Sequence, residues 1–285
     1  MDLKAYMKQN DEKPLDSIVH NGGFCGIFRR IVCVGDSLSS GEFETMMNGV
    51  KGYPDNFDYS WGQYLARDAG CRVFNFSRGG MGTKWFCENY AEEQGFWNPE
   101  KWAQAYIIAL GVNDISEVIN NGFEMGTLAD IDFADYRNNK PTFAGYYGKI
   151  IQRYKEIEPR AKFFLMTIPK GEPGNSRDNA EKIHQELIYK IAELFSNTYV
   201  LDLREYAPVQ DKEFKNKFYM AGHLNPAGYI LASKMVISYI DYIIRHNMED
   251  FKRTGFIGTE FTDLKEQRQK EDSKLIHRAY YDIIK

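Results

Sequence analysis

The stretch Arg30-Ile-Val-Cys-Val-Gly-Asp-Ser-Leu-Ser-Ser-Gly41 decides the fold. Residues 30–34 form a short run rich in Val and Ile that reads as a strand. Gly35, Asp36 and Gly41 then permit a tight reversal into a helix. Four more runs of the same kind follow at 71–76, 106–110, 162–166 and 198–202. Each is rich in Val, Ile, Phe or Tyr and bounded by Gly, Asn, Asp or Pro. Their apolarity is continuous rather than alternating, which predicts strands covered on both faces and hence a parallel sheet between two helix layers. Helices are predicted at 60–69, at 142–158 where Pro159 stops the run, at 175–195, and at 225–244. In the last, Asn225 is the N-cap and Pro226 the first helical residue, with Ile230, Ile237, Ile240 and Ile244 on one face.

Length and composition agree with this. The 285 residues are 43% hydrophobic and 27% charged, enough for a sizeable core without disulfides or metals. One domain is expected over 1–285, with a core at about 30–244, an N-terminal extension and a charged amphipathic tail at 260–285. That tail carries Leu264, Leu275, Ile276 and Ile283; a solvated surface helix is favoured over a helix docked on the domain or a dimer contact. With 36 Lys+Arg against 40 Asp+Glu the formal net charge is -4, so no positive field draws nucleic acid or an anionic membrane. Cys25, Cys33, Cys71 and Cys87 form no CxxC pair and read as inert thiols rather than zinc ligands. No window approaches the 18 or so apolar residues of a membrane span, and Met1-Asp2-Leu3-Lys4 leads into a polar stretch. A soluble, cytoplasmic protein without a membrane span is expected, although a chain trimmed of an export signal reads the same.

In an open parallel sheet the working residues gather beyond the carboxyl ends of the strands. The first such loop is Gly35-Asp36-Ser37-Leu38-Ser39-Ser40-Gly41, which exposes the Ser37 hydroxyl and the N–H groups behind it. The second, Asn75-Phe-Ser-Arg-Gly79-Gly80-Met-Gly82-Thr83, has glycines that let backbone N–H groups face a ligand. The third, Gly111-Val112-Asn113-Asp114, sets a side-chain amide at the same edge. A serine nucleophile needs a base, and the histidines are His20, His184, His223, His246 and His277. Only His223 lies in a loop directly before a capped helix, in Gly222-His223-Leu224-Asn225-Pro226.

These four segments, in this order, resemble the SGNH or GDSL family of serine esterases and acylhydrolases. Gly35-Asp36-Ser37-Leu38 matches the first block, Gly80 the second, Gly111-Val112-Asn113-Asp114 the third and His223-Leu224-Asn225-Pro226 the last, over about 30–244. The resemblance implies a three-layer α/β/α sandwich of flavodoxin-like type on a five-stranded parallel sheet. It implies Ser37 as nucleophile, His223 as general base, and an oxyanion hole of the Ser37 and Gly80 N–H groups with the Asn113 amide. It implies neither cofactor nor metal, and leaves Asp36 and Asp114 as structural acids.

One departure stands out. The family commonly places Asp three residues before its histidine, and here that residue is Met220. Phe218 to Gly222 are all uncharged, and the nearest upstream acids are Glu213 and Asp211. A Ser37–His223 dyad oriented by a main-chain carbonyl is therefore expected, with an acid from elsewhere in the fold as the alternative. Tyr59, Trp61, Trp85, Phe86, Trp97 and Trp102 lie near the motifs, and at least half should simply pack the core. Those left could stack on sugar faces, so the expected substrate is a small-molecule or carbohydrate ester, acetyl foremost. Acyl transfer by the same site and a non-catalytic sugar-binding protein are the alternatives, and a homo-oligomer stays open.

Overall fold

A computed structural model describes residues 6–261. Its strands are β1 (Arg30–Gly35), β2 (Thr45–Met47), β3 (Val50–Gly52), β4 (Arg72–Asn75), β5 (Ala105–Ala109), β6 (Lys162–Met166), β7 (Thr198–Leu201), β8 (Tyr219–Met220) and β9 (His223–Leu224). Five of them form the main sheet in the order β4-β1-β5-β6-β7, with every neighbouring pair parallel.

Side chains along each strand alternate between two cores. Val32, Val34, Tyr106, Ile108, Phe163 and Leu165 face the helices Phe143–Ile157 and Asp178–Leu194. Ile31, Cys33, Ala105, Ile107 and Phe164 face Trp61–Ala69 and Pro226–His246. The three-layer α/β/α architecture is the one the sequence predicts. The order reverses at β1: the chain first steps out to β4, then returns to β5 on the other side. Such a reversal opens a crevice beyond the strands' carboxyl ends. Val34 pairs with Ile108 and Gly35 with Ala109, so the loops after β1 and β5 leave the sheet at one level.

The helix starts follow their caps. Ser60, Thr142 and Asn225 each accept a backbone N–H from the first turn, from Gln63, Gly145 and Gly228 in that order. Two predicted elements are shorter than expected. Helix 175–195 begins only at Asp178, because Asn175 forms a turn in which its side-chain Oδ1 accepts the Arg177 N–H and its carbonyl the Asp178 N–H. The second strand begins at Arg72, which leaves Cys71 just outside it and half-buried, while Cys25, Cys33 and Cys87 are buried. Burial pushes the Cys71 thiol up to about 11, and all four cysteines are free thiols.

One expectation is corrected. The helix Pro226–His246 is long and apolar enough to cross a membrane, yet 67% of its apolar window is buried against the sheet and the N-terminal segment. Val19 N–H donates to Ser238 Oγ, Phe24 N–H to Asp241 Oδ1, and Arg245 pairs with Glu12 and Asp241. It is a core helix. The tail residues Leu264, Leu275, Ile276 and Ile283, and His277, lie outside the described residues.

Candidate active site

The first loop is a single helical turn, Ser37–Ser40, closed by Gly41 in the left-handed region at φ 79°. Asp36 caps it. Its carboxylate accepts the Leu38 N–H at 3.0 Å and its carbonyl the N–H groups of Ser39 and Ser40. Among the described residues, that leaves the Ser37 N–H as the turn's donor without a partner. Asp36 is buried, and desolvation pushes its carboxyl up to about 7.

The second loop is stitched to the end of β1: Arg78 N–H donates to the Gly35 carbonyl and Ser77 Oγ to that of Cys33. Gly80 sits at φ 75°, a conformation that residues with a Cβ adopt rarely. From the third loop, Asn113 Nδ2 donates to the Met81 carbonyl at 3.0 Å. An amide nitrogen carries two hydrogens, so one remains for a ligand. Asp114 accepts Thr83 N–H at 2.8 Å and Thr83 Oγ1 at 2.6 Å, tying the second loop to the third. Both acids thus have the loop-ordering parts expected of them. Beneath Gly111, whose φ is 143° and whose Cα abuts the ring of His184, that histidine is fully buried. Burial drives it down to about 4, so it is neutral.

His223 arrives on the short hairpin β8–β9, opposite Met220 in the antiparallel pair. The two-residue turn between them puts the non-glycine Ala221 at φ 53°. The turn Ser37–Ser40 packs against β9, which brings nucleophile and base candidates to one place. The imidazole meets two carboxylates that sequence reasoning missed. His223 Nε2 lies 3.0 Å from Glu42 Oε1, and Nδ1 lies 4.0 Å from Glu44 Oε2. Nδ1 is buried and makes no hydrogen bond, so the main-chain carbonyl expected to orient it is not there. Asp211 and Glu213 are spent elsewhere, on the Phe214 N–H and on Lys217.

Glu42 and Glu44 are two apart in extended chain and so share a side, while Phe43 between them packs on Tyr229 and Tyr59. The segment is pinned by Tyr229 Oη, which donates to the Glu42 carbonyl at 2.6 Å, and by its bridge to Asp55. Burial raises the Glu42 carboxyl above its usual range, helped by the charges of Asp55 and Glu44. Glu44 is held below that range by the Lys51 ammonium and by the Gly222 N–H, which donates to it at 2.8 Å. Burial lowers the His223 imidazole, and the charges of Glu44 and Asp55 oppose that shift. The signal for both acids was the Glu42-Phe43-Glu44 alternation directly after the serine turn.

Beside Gly80 and Asn113 a cavity of about 630 Å³ is lined by Trp85, Glu88, Asn89, Glu117 and Asn121. Trp85 is 38% exposed, whereas Trp61, Phe86 and Trp97 are buried, as expected for half or more of these aromatics.

A five-stranded parallel sheet in this order, with these loops at its switch point, is the frame of SGNH hydrolases, and with the family match it gives the class: a carboxylic ester hydrolase. The chain belongs to the GDSL-like lipase/acylhydrolase family, whose model matches residues 33–231. No curated protein sequence matches it. Among solved structures it resembles a Lactobacillus plantarum protein at 16% identity and TM-score 0.53, covering 75% of this chain and 97% of that one. It also resembles a family two carbohydrate esterase from Clostridium thermocellum in complex with cellohexaose, at 16% identity and TM-score 0.50. That match covers 84% of this chain and 66% of the other. At such identities the likeness is one of fold.

Proposed function

We propose that the protein is a serine esterase that removes small acyl groups, acetyl foremost, from a carbohydrate. Ser37 Oγ attacks the acyl carbon as His223 Nε2 takes its proton. The tetrahedral oxyanion is held by the Ser37 and Gly80 N–H groups and the free hydrogen of the Asn113 amide. Collapse expels the alcohol, which recovers the proton from Nε2. Water then repeats the sequence on the acyl-enzyme, releasing the acid and regenerating Ser37.

The observation that carries this reading is the cavity lined by both Gly80 and Asn113, in which carboxylates and amides stand beside Phe123 and the exposed ring of Trp85. A flat ring with carboxylates and amides around it suits a sugar better than a fatty chain. The fold is shared with carbohydrate esterases, one of them holding cellohexaose, and the substrate class is carried over from that.

One observation favours a second reading. In this structure Nε2 faces Glu42, so the base meets Ser37 only when that carboxylate gives way. A non-catalytic sugar-binding protein would have no such need. Covalent labelling decides between the two: a fluorophosphonate should modify wild type at Ser37 stoichiometrically, and Ser37→Ala should neither be labelled nor hydrolyse p-nitrophenyl acetate, with an unchanged melting curve. A wild-type serine that takes up no label, together with measurable glycan binding, selects the binding protein.

A further inference from the structure

We propose that Glu44 is the acid that positions His223, completing a triad in the chain order Ser37, Glu44, His223. This rests on the esterase reading above and assigns the place that Met220 leaves empty.

When Nε2 serves as base, Nδ1 must carry the hydrogen and needs an anion in front of it. Nδ1 is buried without a hydrogen-bond partner, and Glu44 Oε2 lies 4.0 Å away on its side of the ring. A shift of about 1 Å closes that gap to a hydrogen bond, and catalytic hydrogen bonds commonly tighten by such amounts when substrate arrives. Glu44 is already aimed, because the Gly222 N–H beside the histidine donates to the same Oε2 and Lys51 pairs with its other oxygen.

Charge separates Glu44 from its neighbour. An orienting acid has to be ionised: Glu44 is kept so by Lys51 and Gly222, whereas burial favours the protonated form of Glu42. Glu42 also addresses the wrong nitrogen, Nε2. The groups facing His223 are Glu42, Glu44, Asp55, Lys51 and the Tyr53 ring, whose centroid lies 6.0 Å from that of the imidazole. Of these, Glu44 is the carboxylate within 4.0 Å of Nδ1, and Lys51 and Gly222 favour its ionised form.

Glu44→Gln tests this cleanly, since the amide oxygen can still accept the Gly222 N–H and only the charge is lost. For p-nitrophenyl acetate, kcat should fall by about 10²–10⁴ with KM within about threefold of wild type. The acid limb of kcat/KM should move to lower pH, because the anion that favours the imidazolium is gone. Met220 faces His223 across the hairpin, so Met220→Asp in the Glu44→Gln background should restore kcat by at least about tenfold. A Glu44→Gln variant with kcat within about threefold of wild type, or with an unmoved acid limb, overturns the assignment. Fluorophosphonate labelling separates the two levels of the argument. If wild type is labelled at Ser37 and Glu44→Gln is labelled equally fast, only the role of Glu44 fails. If wild type takes up no label, the esterase reading itself falls and takes this one with it.

Discussion

His223 Nε2 and Glu42 Oε1 stand 3.0 Å apart, so the nitrogen proposed to receive the Ser37 proton faces a carboxyl whose burial favours its protonated form. The two groups can share one proton, and under the proposed mechanism His223 serves as base once substrate or a rotation of Glu42 releases it. Glu42→Ala should therefore speed fluorophosphonate labelling of Ser37 several-fold, because the backbone contacts of the segment persist and only the competing carboxyl is removed. A drop of more than about tenfold in labelling would instead make Glu42 part of the reaction.

Asn113→Ala should lower turnover on p-nitrophenyl acetate by about 10²–10³ with little change in KM, since the amide is proposed to act mainly on the oxyanion. The same amide holds the Met81 carbonyl, so a modest fall in melting temperature should accompany the loss. An effect confined to KM would leave Asn113 as a substrate-positioning group.

Trp85→Ala should raise KM for an acetylated oligosaccharide by about 3- to 10-fold, the loss expected of one stacking ring, while p-nitrophenyl acetate kinetics stay as they are. Equal KM values for the sugar in the two proteins would remove Trp85 as a sugar platform.

Asp36 makes a prediction about stability. Its carboxyl titrates near 7 in the fold against 3.8 when free. Below the lower value both states are protonated and burial carries no ionisation penalty. Between the two, the unfolded chain ionises first, so stability falls as pH rises and levels off above about 7. Asn cannot ionise and caps a helix equally well. The melting temperature of Asp36→Asn relative to wild type should climb between about pH 4 and 7, measured by thermal unfolding in matched buffers. A constant offset at all pH values would mean that Asp36 is ionised in its burial site.

Local chemistry made much of this legible in the sequence. The strands at 30–34 and 162–166 announce themselves by continuous apolarity, and Ser60, Thr142 and Asn225 by their capping oxygens. Ser37, Gly80 and Asn113 could be placed at one edge because each follows a strand of one parallel sheet. For Glu44 the alternation after the serine turn was the available signal, but its contact with Gly222, 178 residues away, exists only in the folded chain. The hairpin β2–β3 had a readable signal that went unused: Asn48-Gly49 between Met47 and Val50, with both turn residues at positive φ. The helix Val112–Asn121 also had a readable signal that went unused: its first residues read as a catalytic motif, although Val112, Ile115, Val118 and Ile119 recur at helical spacing.

The serine turn and the acidic pair sit within a single run, Ser37 to Glu44. A reaction centre laid out in this way is inherited largely as one piece. If Ser37 and Glu44 act as proposed, an insertion or deletion between Gly41 and Glu44 would shift nucleophile and carboxylates against each other, whereas position 220 is released from any duty to carry charge and free to drift. Relatives of this chain that keep Glu-x-Glu just after the serine turn should therefore tolerate almost any residue three places before their histidine, and those that lose it should carry aspartate there.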